Sequence, residues 1–210
     1  MDTFSEGKFV AVEGLDGAGT TTLIASLVEW LRSQSVPVEA THEPTAGPVG
    51  SVIRQAIDRR LDFDADILAL LFAADRLDHL RNAANGIERQ LASGHWVISD
   101  RYLASSFAYQ GGATGGGDWV RTINRHARPP DLTIYVDTSI ATCLERIARR
   151  SGKDELFHRA ASLEQASVRY EAFFAAEEPI GPVLKVNGDQ PASAVLNDAL
   201  KLVGPWLHST

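Results

Sequence analysis

Several features are scarce or absent in this chain of 210 residues, and each absence excludes a class of protein. Cys143 is the only cysteine, which rules out an internal disulfide framework and suits a reducing compartment, so we expect a cytoplasmic protein. No apolar run approaches the roughly 20 residues that span a bilayer, and residues 1–6 do not resemble a secretory signal peptide. The formal net charge of -7 predicts that neither a nucleic-acid polymer nor an anionic membrane is a partner.

Two kinds of catalytic arrangement are also missing. The six histidines show no metal-ligand spacing, and no Ser/His/Asp or Cys/His arrangement stands out for nucleophilic catalysis. The content of 44% hydrophobic residues is ordinary for a globular protein and sufficient for a sizeable core. We therefore expect a single domain over residues 1–210, with at most a small inserted lid.

Apolar runs typical of strands alternate with helical patterns along the chain. The runs are Phe9–Glu13, Val38–His42, Trp96–Asp100, Leu132–Asp137 and Val183–Asn187. The helical patterns lie near residues 21–33, 48–60, 66–93, 139–150, 162–177 and 191–207. This alternation predicts an α/β fold with a five-stranded parallel sheet covered by helices on both faces, which binds ligands at the carboxyl ends of its strands.

The most informative motif lies between the first strand and the first helix. Residues Gly14 to Thr21 fit a phosphate-binding P-loop at every defining position except one, because Thr20 stands where the motif has its lysine. Tight glycine turns let backbone N–H groups converge on phosphate, and the helix N-terminus adds its dipole. The residues expected to contact a nucleoside triphosphate are Gly14, Gly17, Ala18, Gly19, Thr20, Thr21 and Thr22, with Thr21 also a Mg²⁺ ligand. The alternative is a glycine-rich turn that binds no ligand.

Two further pairs of residues carry chemistry that suits a nucleotide site. Asp100 ends a strand and is placed to hold Mg²⁺ through water, while the adjacent Arg101 offers a planar fork for phosphate. Phe72 and Arg76 are four residues apart, so they share one helix face and can stack on and hydrogen-bond a base. The alternatives are a structural Asp100–Arg101 pair, a Phe72 in the core, and an Arg76 paired with Asp75 or Asp78.

Three other stretches are less specific. Thr41-His42-Glu43-Pro44 ends the second strand, and Arg54 on the following helix is either a phosphate ligand or a surface charge. Residues 109–118 are rich in glycine and predict a flexible surface loop. Residues 146–155 are basic and are either the cationic end of a helix or a lid that closes over a triphosphate.

Taken in order, these segments resemble the thymidylate kinase family over nearly the whole chain. The resemblance rests on residues 9–19, on Thr41 to Pro44, on residues 71–76, on Asp100-Arg101-Tyr102, on residues 108–112 and on residues 130–137. It implies the three-layer P-loop NTPase sandwich, with ATP as the phosphoryl donor, Mg²⁺ as cofactor and dTMP as the acceptor that becomes dTDP. It also implies a homodimer.

The resemblance implies a role for each candidate residue. Substrate-binding positions would be Asp16, Glu43, Arg54, Phe72, Arg76, Arg101, Ser106 and Tyr109, with Thr21 and Asp100 at the metal. Asp16 and Arg101 would also be catalytic, Asp16 at the 3′-hydroxyl and Arg101 between the two phosphates. Because Gly17 occupies the P-loop position where some members have arginine, a lid over about residues 149–158 should supply the catalytic cation through Arg149 or Arg150.

Three departures from the family pattern remove positive charge. Thr20 replaces the P-loop lysine, His42 replaces the usual arginine before the Glu-Pro pair, and Ser167 stands where an arginine is common. The loss of one preorganised transition-state donor typically costs ~10²–10³ in rate. We therefore expect an active dTMP kinase, with a weakly active or inactive nucleotide-binding relative, or a kinase of another pyrimidine monophosphate, as the alternatives.

Overall fold

The strands of the computed structural model, which describes residues 7–151, 156–176 and 181–208, form one parallel sheet. They are β1 (Phe9–Gly14), β2 (Val38–His42), β3 (Trp96–Asp100), β4 (Leu132–Asp137) and β5 (Val183–Asn187), in the spatial order β2-β3-β1-β4-β5. Every pairing is parallel, so all five carboxyl ends lie along the same edge. The five strands predicted from the sequence are confirmed, and β1 with the glycine loop behind it is central in the sheet.

Helices cover both faces of this sheet. They are α1 (Thr20–Ser33), α2 (Pro48–Ile57), α3 (Ala65–Arg81), α4 (Ile87–Ala92), α5 (Leu103–Gln110), α6 (Gly116–Ile123), α7 (Ile140–Ser151), α8 (Leu156–Ala175) and α9 (Ala192–Val203), followed by a 3₁₀ turn at Gly204–His208. Side chains alternate along a strand, and Val10 and Val12 join one apolar cluster while Phe9 and Ala11 join another. This arrangement confirms the predicted α/β sandwich.

The predicted helix over residues 66–93 is wrong because two helices, α3 and α4, occupy that stretch. Asn82 ends α3: its side-chain amide donates to Asp78, and its own carbonyl groups accept from the backbone N–H groups of Ala84 and Gly86. Asparagine and glycine favour such turns because they bond locally or tolerate unusual backbone angles. A helical pattern of apolar residues that continued on both sides of the turn concealed it.

The glycine-rich segment at residues 109–118 is also more regular than predicted. Helix α5 continues through Gln110, and α6 begins at Gly116, with Gly115 at its N-terminus in the left-handed region at φ 91°. Helix α8 starts at Leu156 rather than at residue 162, whereas α2 and α9 end earlier than predicted. None of the described helices combines the length and apolar character needed to cross a membrane.

Candidate functional site

The loop between β1 and α1 contains the tight glycine turns that a phosphate-binding loop uses. Gly17 and Gly19 have φ angles of 84° and 101°, which residues other than glycine rarely adopt. A Cβ atom on Gly17 would lie 2.7 Å from the carbonyl oxygen of Cys143, so the loop is packed closely against α7. Helix α1 starts at Thr20, so its first backbone N–H groups have no partner within the helix and suit an anion held by the loop.

The two predicted metal ligands lie together beside this loop. The hydroxyl of Thr21 donates a hydrogen bond of 2.7 Å to Oδ2 of Asp100, which ends β3 next to β1. A hydroxyl oxygen and a carboxylate oxygen are ligands that Mg²⁺ accepts, with waters and phosphate oxygens filling its other positions. The residues present therefore fit this cofactor.

Thr20 is packed rather than extended toward the phosphate position. Its side chain is only 8% exposed, and its methyl group would lie 3.1 Å from a Cβ added to Gly14. Among the residues that the structure describes, two arginines bond to the loop. Arg101 pairs with Asp16, and Arg146 bonds to backbone carbonyl groups.

Arg146, on α7, supports the loop from behind. Its guanidinium donates to the carbonyl oxygens of Ala18 at 2.8 Å and Gly188 at 2.9 Å, with a longer contact of 3.4 Å to Gly17. It thereby ties the glycine loop to the loop that follows β5. Sequence reasoning placed Arg146 only within a basic cluster, because nothing in the sequence shows that α7 passes behind residues 17 and 18.

A cavity of about 200 Å³ opens between this support and α9. It is lined by Ala18, Gly19, Thr22, Arg146, Gln190 and Val195, among others. Its walls are partly apolar and contiguous with the glycine loop. The base of a nucleotide whose phosphates lie in that loop has room here.

A larger cavity of about 410 Å³ lies on the other side of the loop, within the size range of small-molecule sites. Seven of the eight predicted substrate-binding residues line it: Asp16, Glu43, Phe72, Arg76, Arg101, Ser106 and Tyr109. Arg54 is the eighth, and it instead donates to the carbonyl oxygens of Pro44 and Thr45 at 3.1 Å and 2.7 Å. Arg54 therefore fastens the turn after β2.

Arg76 is the most constrained side chain in this cavity. It is 1% exposed, and its Nε and Nη2 donate to Oε2 of Glu43 at 2.9 Å and 2.6 Å. Nη2 also donates to the carbonyl oxygen of Tyr102, and Nη1 donates to the side-chain oxygen of Asn124. Four of the five guanidinium N–H groups thus have partners in the described part of the chain, which leaves one on Nη1. The alternative of pairing with Asp75 is excluded, because the carboxylate of Asp75 accepts from Thr45.

Phe72 lies one helical turn before Arg76 on α3. It is half-buried, it lines the cavity, and it belongs to neither apolar core cluster. The alternative of an ordinary core aromatic is therefore not what the structure shows. Its position suits stacking against a planar ring.

Arg101 reaches across the cavity toward the glycine loop because its backbone is unusual. Its φ angle is 71°, in the left-handed region, and its backbone N–H donates to the carbonyl of Val12. The side chain donates to Asp16 Oδ1 and to Ser105 Oγ, and its guanidinium carbon lies 5.0 Å from the ring centroid of Tyr109. The guanidinium thus lies between the glycine loop and the cavity of about 410 Å³.

Two groups that sequence reasoning missed also belong to this region. Glu13, inside β1, is buried and its carboxylate accepts from the backbone N–H groups of Tyr102 and Ser105 and from the hydroxyls of Ser105 and Tyr170. Burial raises its pKa. A glutamate within an apolar strand is the signal that such partners exist, because buried carboxylates are costly without them.

Gln110 is the second missed group. It is 7% exposed, it lines the cavity of about 410 Å³, and its side-chain oxygen has no hydrogen-bond partner within the described residues. A buried polar atom without a partner commonly marks a ligand position. Sequence reasoning had assigned Gln110 to a mobile loop.

Of the two predicted lid arginines, only Arg149 has a side chain that the structure describes, and it bonds within its own helix. Arg149 has a side chain that is 75% exposed and pairs with Glu145 at 2.6 Å, one helical turn beyond Arg146. The side chains of residues 150–159 lie outside the described part of the structure, and they include Arg150, Lys153 and most of the predicted lid over residues 149–158. His42, at the end of β2, bonds its Nδ1 to the carbonyl of Pro44.

Comparison with known proteins identifies the family to which the sequence is related. The sequence model of the family described as "Thymidylate kinase" matches residues 12–187. A putative thymidylate kinase of Treponema pallidum is 38% identical over 179 residues, covering 85% of each chain. The thymidylate kinase of Magnetococcus marinus is 35% identical over 90% of this chain and 92% of its own. A probable thymidylate kinase of Thermococcus onnurineus is 36% identical over 93% of this chain and 96% of its own. The chain therefore belongs to the thymidylate kinase family.

Proposed function

We propose that this protein transfers the γ-phosphoryl group of ATP to dTMP and releases ADP and dTDP. One observation carries the proposal: the cavity of about 410 Å³ that is lined by Phe72 and Arg76 meets the glycine loop at the Asp16–Arg101 pair, beside Thr21 and Asp100. We call it the acceptor cavity. A monophosphate in that cavity would have its phosphate next to Arg101 and its base next to Phe72. The family relationship supports the choice of dTMP.

The polar groups around Phe72 support a base with a carbonyl oxygen at its edge. Arg76 is a donor only, and its remaining Nη1 hydrogen suits the O4 oxygen of thymine. Cytosine presents an amino group at that position, which would face the guanidinium without a bond. An unpaired buried group costs about 1–3 kcal/mol, so we expect dCMP to be used roughly 10–100-fold less efficiently than dTMP.

Gln110 adds a second polar partner at the base. Its side-chain amide carries both an acceptor and a donor, and the orientation of such an amide follows its hydrogen-bond network. The unpartnered oxygen of Gln110 would accept from the N3–H group of thymine. Its role is a proposal that the buried, unpartnered state of the oxygen supports.

The transfer itself needs alignment and positive charge. The acceptor phosphate attacks in line without a covalent intermediate, so the protein contributes geometry and electrostatic stabilisation. Arg101 lies where donor and acceptor phosphates meet, and Asp16 holds its guanidinium from the loop side. Mg²⁺ held through Thr21 and Asp100 would neutralise charge on the donor phosphates.

The missing lysine charge is proposed to come from the end of α7. Arg146 fixes which face of α7 meets the glycine loop, and positions 149 and 150 lie one turn further along that face. A movement that releases Arg149 from Glu145 would bring its guanidinium toward the transferred phosphoryl group. The exposed ion pair with Glu145 is weak enough to exchange, because surface pairs typically contribute less than about 1 kcal/mol.

Two further properties are proposed from the family relationship. We expect a homodimer in the cytoplasm, and the α2–α3 region offers exposed apolar side chains for an interface: Ile57, Leu61, Ile67 and Leu70. Sedimentation velocity at micromolar concentration tests the dimer. A single species at 22.7 kDa would contradict it.

The proposed reaction is tested by coupling ADP release to NADH oxidation with ATP, Mg²⁺ and one acceptor at a time. We expect turnover with dTMP, weaker turnover with dUMP, and little with dCMP or dGMP. The control without acceptor measures ATP hydrolysis. No ADP release with any acceptor, together with measurable ATP binding by calorimetry, would refute the kinase and indicate a nucleotide-binding relative.

A further inference from the structure

The buried Arg76–Glu43 ion pair lies where the base of dTMP is proposed to bind, and His79 is an additional partner of this pair. His79 is on α3, three residues after Arg76, so both side chains are on the same face of the helix. Its Nδ1 lies 3.1 Å from Oε1 of Glu43, and its Nε2 lies 2.7 Å from the hydroxyl of Thr41. Arg76 contacts the other oxygen of the same carboxylate.

We propose that His79 is a positioning residue for dTMP binding, which orients Glu43 so that Glu43 in turn holds Arg76 against the base. The proposal rests on the function proposed above. His79 touches neither the acceptor cavity nor the glycine loop, so its effect must pass through Glu43.

The hydrogen bonds define how the histidine acts. A carboxylate only accepts, so Nδ1 of His79 must carry the hydrogen that faces Oε1 of Glu43. In the neutral ring Nε2 then accepts from the hydroxyl of Thr41, which fixes the ring orientation. Thr41 and Glu43 are two residues apart, so the end of β2 presents both partners to one imidazole.

Holding both oxygens matters because the terminal torsion of a glutamate is soft. The plane of the Glu43 carboxylate is set by Arg76 at one oxygen and by His79 at the other. Without His79 the carboxylate is free to turn, and Arg76 then loses part of its alignment with Asn124 and the carbonyl of Tyr102. Its single remaining N–H group would no longer point at one place in the cavity.

The site also permits substitution. A cavity of about 160 Å³, lined by polar side chains such as Glu39, Asn85 and Gln90, opens beside His79. Water can therefore occupy the space that a smaller side chain leaves, and a shorter polar residue does not create a closed apolar void. Variants at this position are expected to fold.

Three substitutions at His79 separate the two hydrogen bonds. His79→Asn keeps an amide donor at the place of Nδ1 and loses the contact to Thr41. His79→Gln keeps a polar atom near the place of Nε2 and loses the donor toward Glu43, whereas His79→Phe removes both. We expect His79→Gln and His79→Phe to raise KM for dTMP about tenfold, or about 1.4 kcal/mol, and His79→Asn to stay within about threefold of wild type.

The same proteins provide the controls. KM for ATP should change less than about twofold in every variant, because the glycine loop is not involved. His126 is exposed and does not line the acceptor cavity, so His126→Gln should leave KM for dTMP and KM for ATP at their wild-type values. In addition, the double variant His79→Phe, Glu43→Gln should bind dTMP no more weakly than Glu43→Gln alone. Both substitutions disrupt the same series of contacts, which runs from His79 through Glu43 to Arg76.

Several results would overturn the inference. They are an equal rise of KM for ATP and dTMP in His79→Phe, equal KM values for the Asn, Gln and Phe variants, or additive effects with Glu43→Gln. If the wild-type protein forms no ADP with dTMP, the proposed function fails. Calorimetric titration of dTMP into wild type and His79→Phe then tests, independently of turnover, whether His79 affects dTMP binding. A tenfold difference in Kd then supports it, whereas equal Kd values, or no binding to wild type, overturn it.

Discussion

Replacing Arg146 with alanine tests whether the glycine loop depends on the guanidinium behind it. The structure gives Arg146 two hydrogen bonds under 3 Å, to the carbonyls of Ala18 and Gly188, and a longer contact to Gly17. A hydrogen bond to a charged group contributes about 1.5–3 kcal/mol, so the two short bonds set an upper limit of about 3–6 kcal/mol.

The expected loss is smaller than that limit for two reasons. Arg146 is only partly buried, so water can replace part of its contribution, and the carbonyl of Ala18 also accepts from the hydroxyl of Thr138 at 3.2 Å. We expect about 1.4–2.7 kcal/mol to remain, which corresponds to a 10–100-fold fall in kcat/KM for ATP. KM for dTMP should change less than about twofold, because Arg146 does not line the acceptor cavity.

The assay is the coupled ADP measurement, with ATP varied at saturating dTMP and then the reverse. Arg32→Ala, at an exposed arginine in the last turn of α1, is the control for removing a positive charge without touching the loop. Thermal unfolding of both variants checks that the fold is retained. Equal effects of Arg146→Ala and Arg32→Ala, or a KM for dTMP that rises as much as that for ATP, would refute the reasoning.

Three further predictions follow from the loop and from α7. Thr20→Lys should raise kcat about tenfold, because the ammonium group would stabilise the transition state by more than the conformational entropy lost in ordering the lysine side chain. An unchanged or lower kcat would mean that the loop is adapted to threonine. Arg149→Ala should lower kcat far more than Arg32→Ala, and equal kcat values would contradict the lid role. Burial raises the pKa of the Cys143 thiol to about 11, so about one thiol in a thousand is ionised at pH 8. Because the thiolate is the reactive form, a disulfide reagent should react with Cys143 only after the protein is unfolded in guanidinium. Because the thiolate forms more readily in the unfolded chain, the free energy of unfolding should fall as pH rises from about 8.5 toward 11; rapid reaction of the native protein at pH 8 would show that Cys143 is accessible.

The sequence was sufficient for the strands and for much of the acceptor cavity. Continuous apolar runs mark buried parallel strands, and all five were found within a residue of their predicted ends. Phe72 and Arg76 were placed together because helical spacing is local and reliable. The turn at Asn82 was missed because the apolar period continues beyond it into α4.

The groups that were missed depend on contacts between distant segments. Arg146 meets residues 17 and 18 only because α7 packs behind the loop, more than a hundred residues away in sequence. The oxygen of Gln110 becomes a candidate ligand only once it is seen to be buried and unpartnered. The sequence does not distinguish His79 from other histidines, because its partners Thr41 and Glu43 lie at the end of β2, more than 30 residues away. Periodicity identifies which face of an element is buried, and not what that face meets.

The left-handed backbone at Arg101 sets function against stability at a single position. An arginine there costs about 1–2 kcal/mol relative to a residue that adopts φ 71° freely. Glycine would relieve that strain, but it would also remove the guanidinium that lies between the loop and the acceptor cavity. Selection of variants for thermal stability alone should therefore replace Arg101 with glycine or asparagine. Selection for growth that depends on the kinase activity should keep the strained arginine.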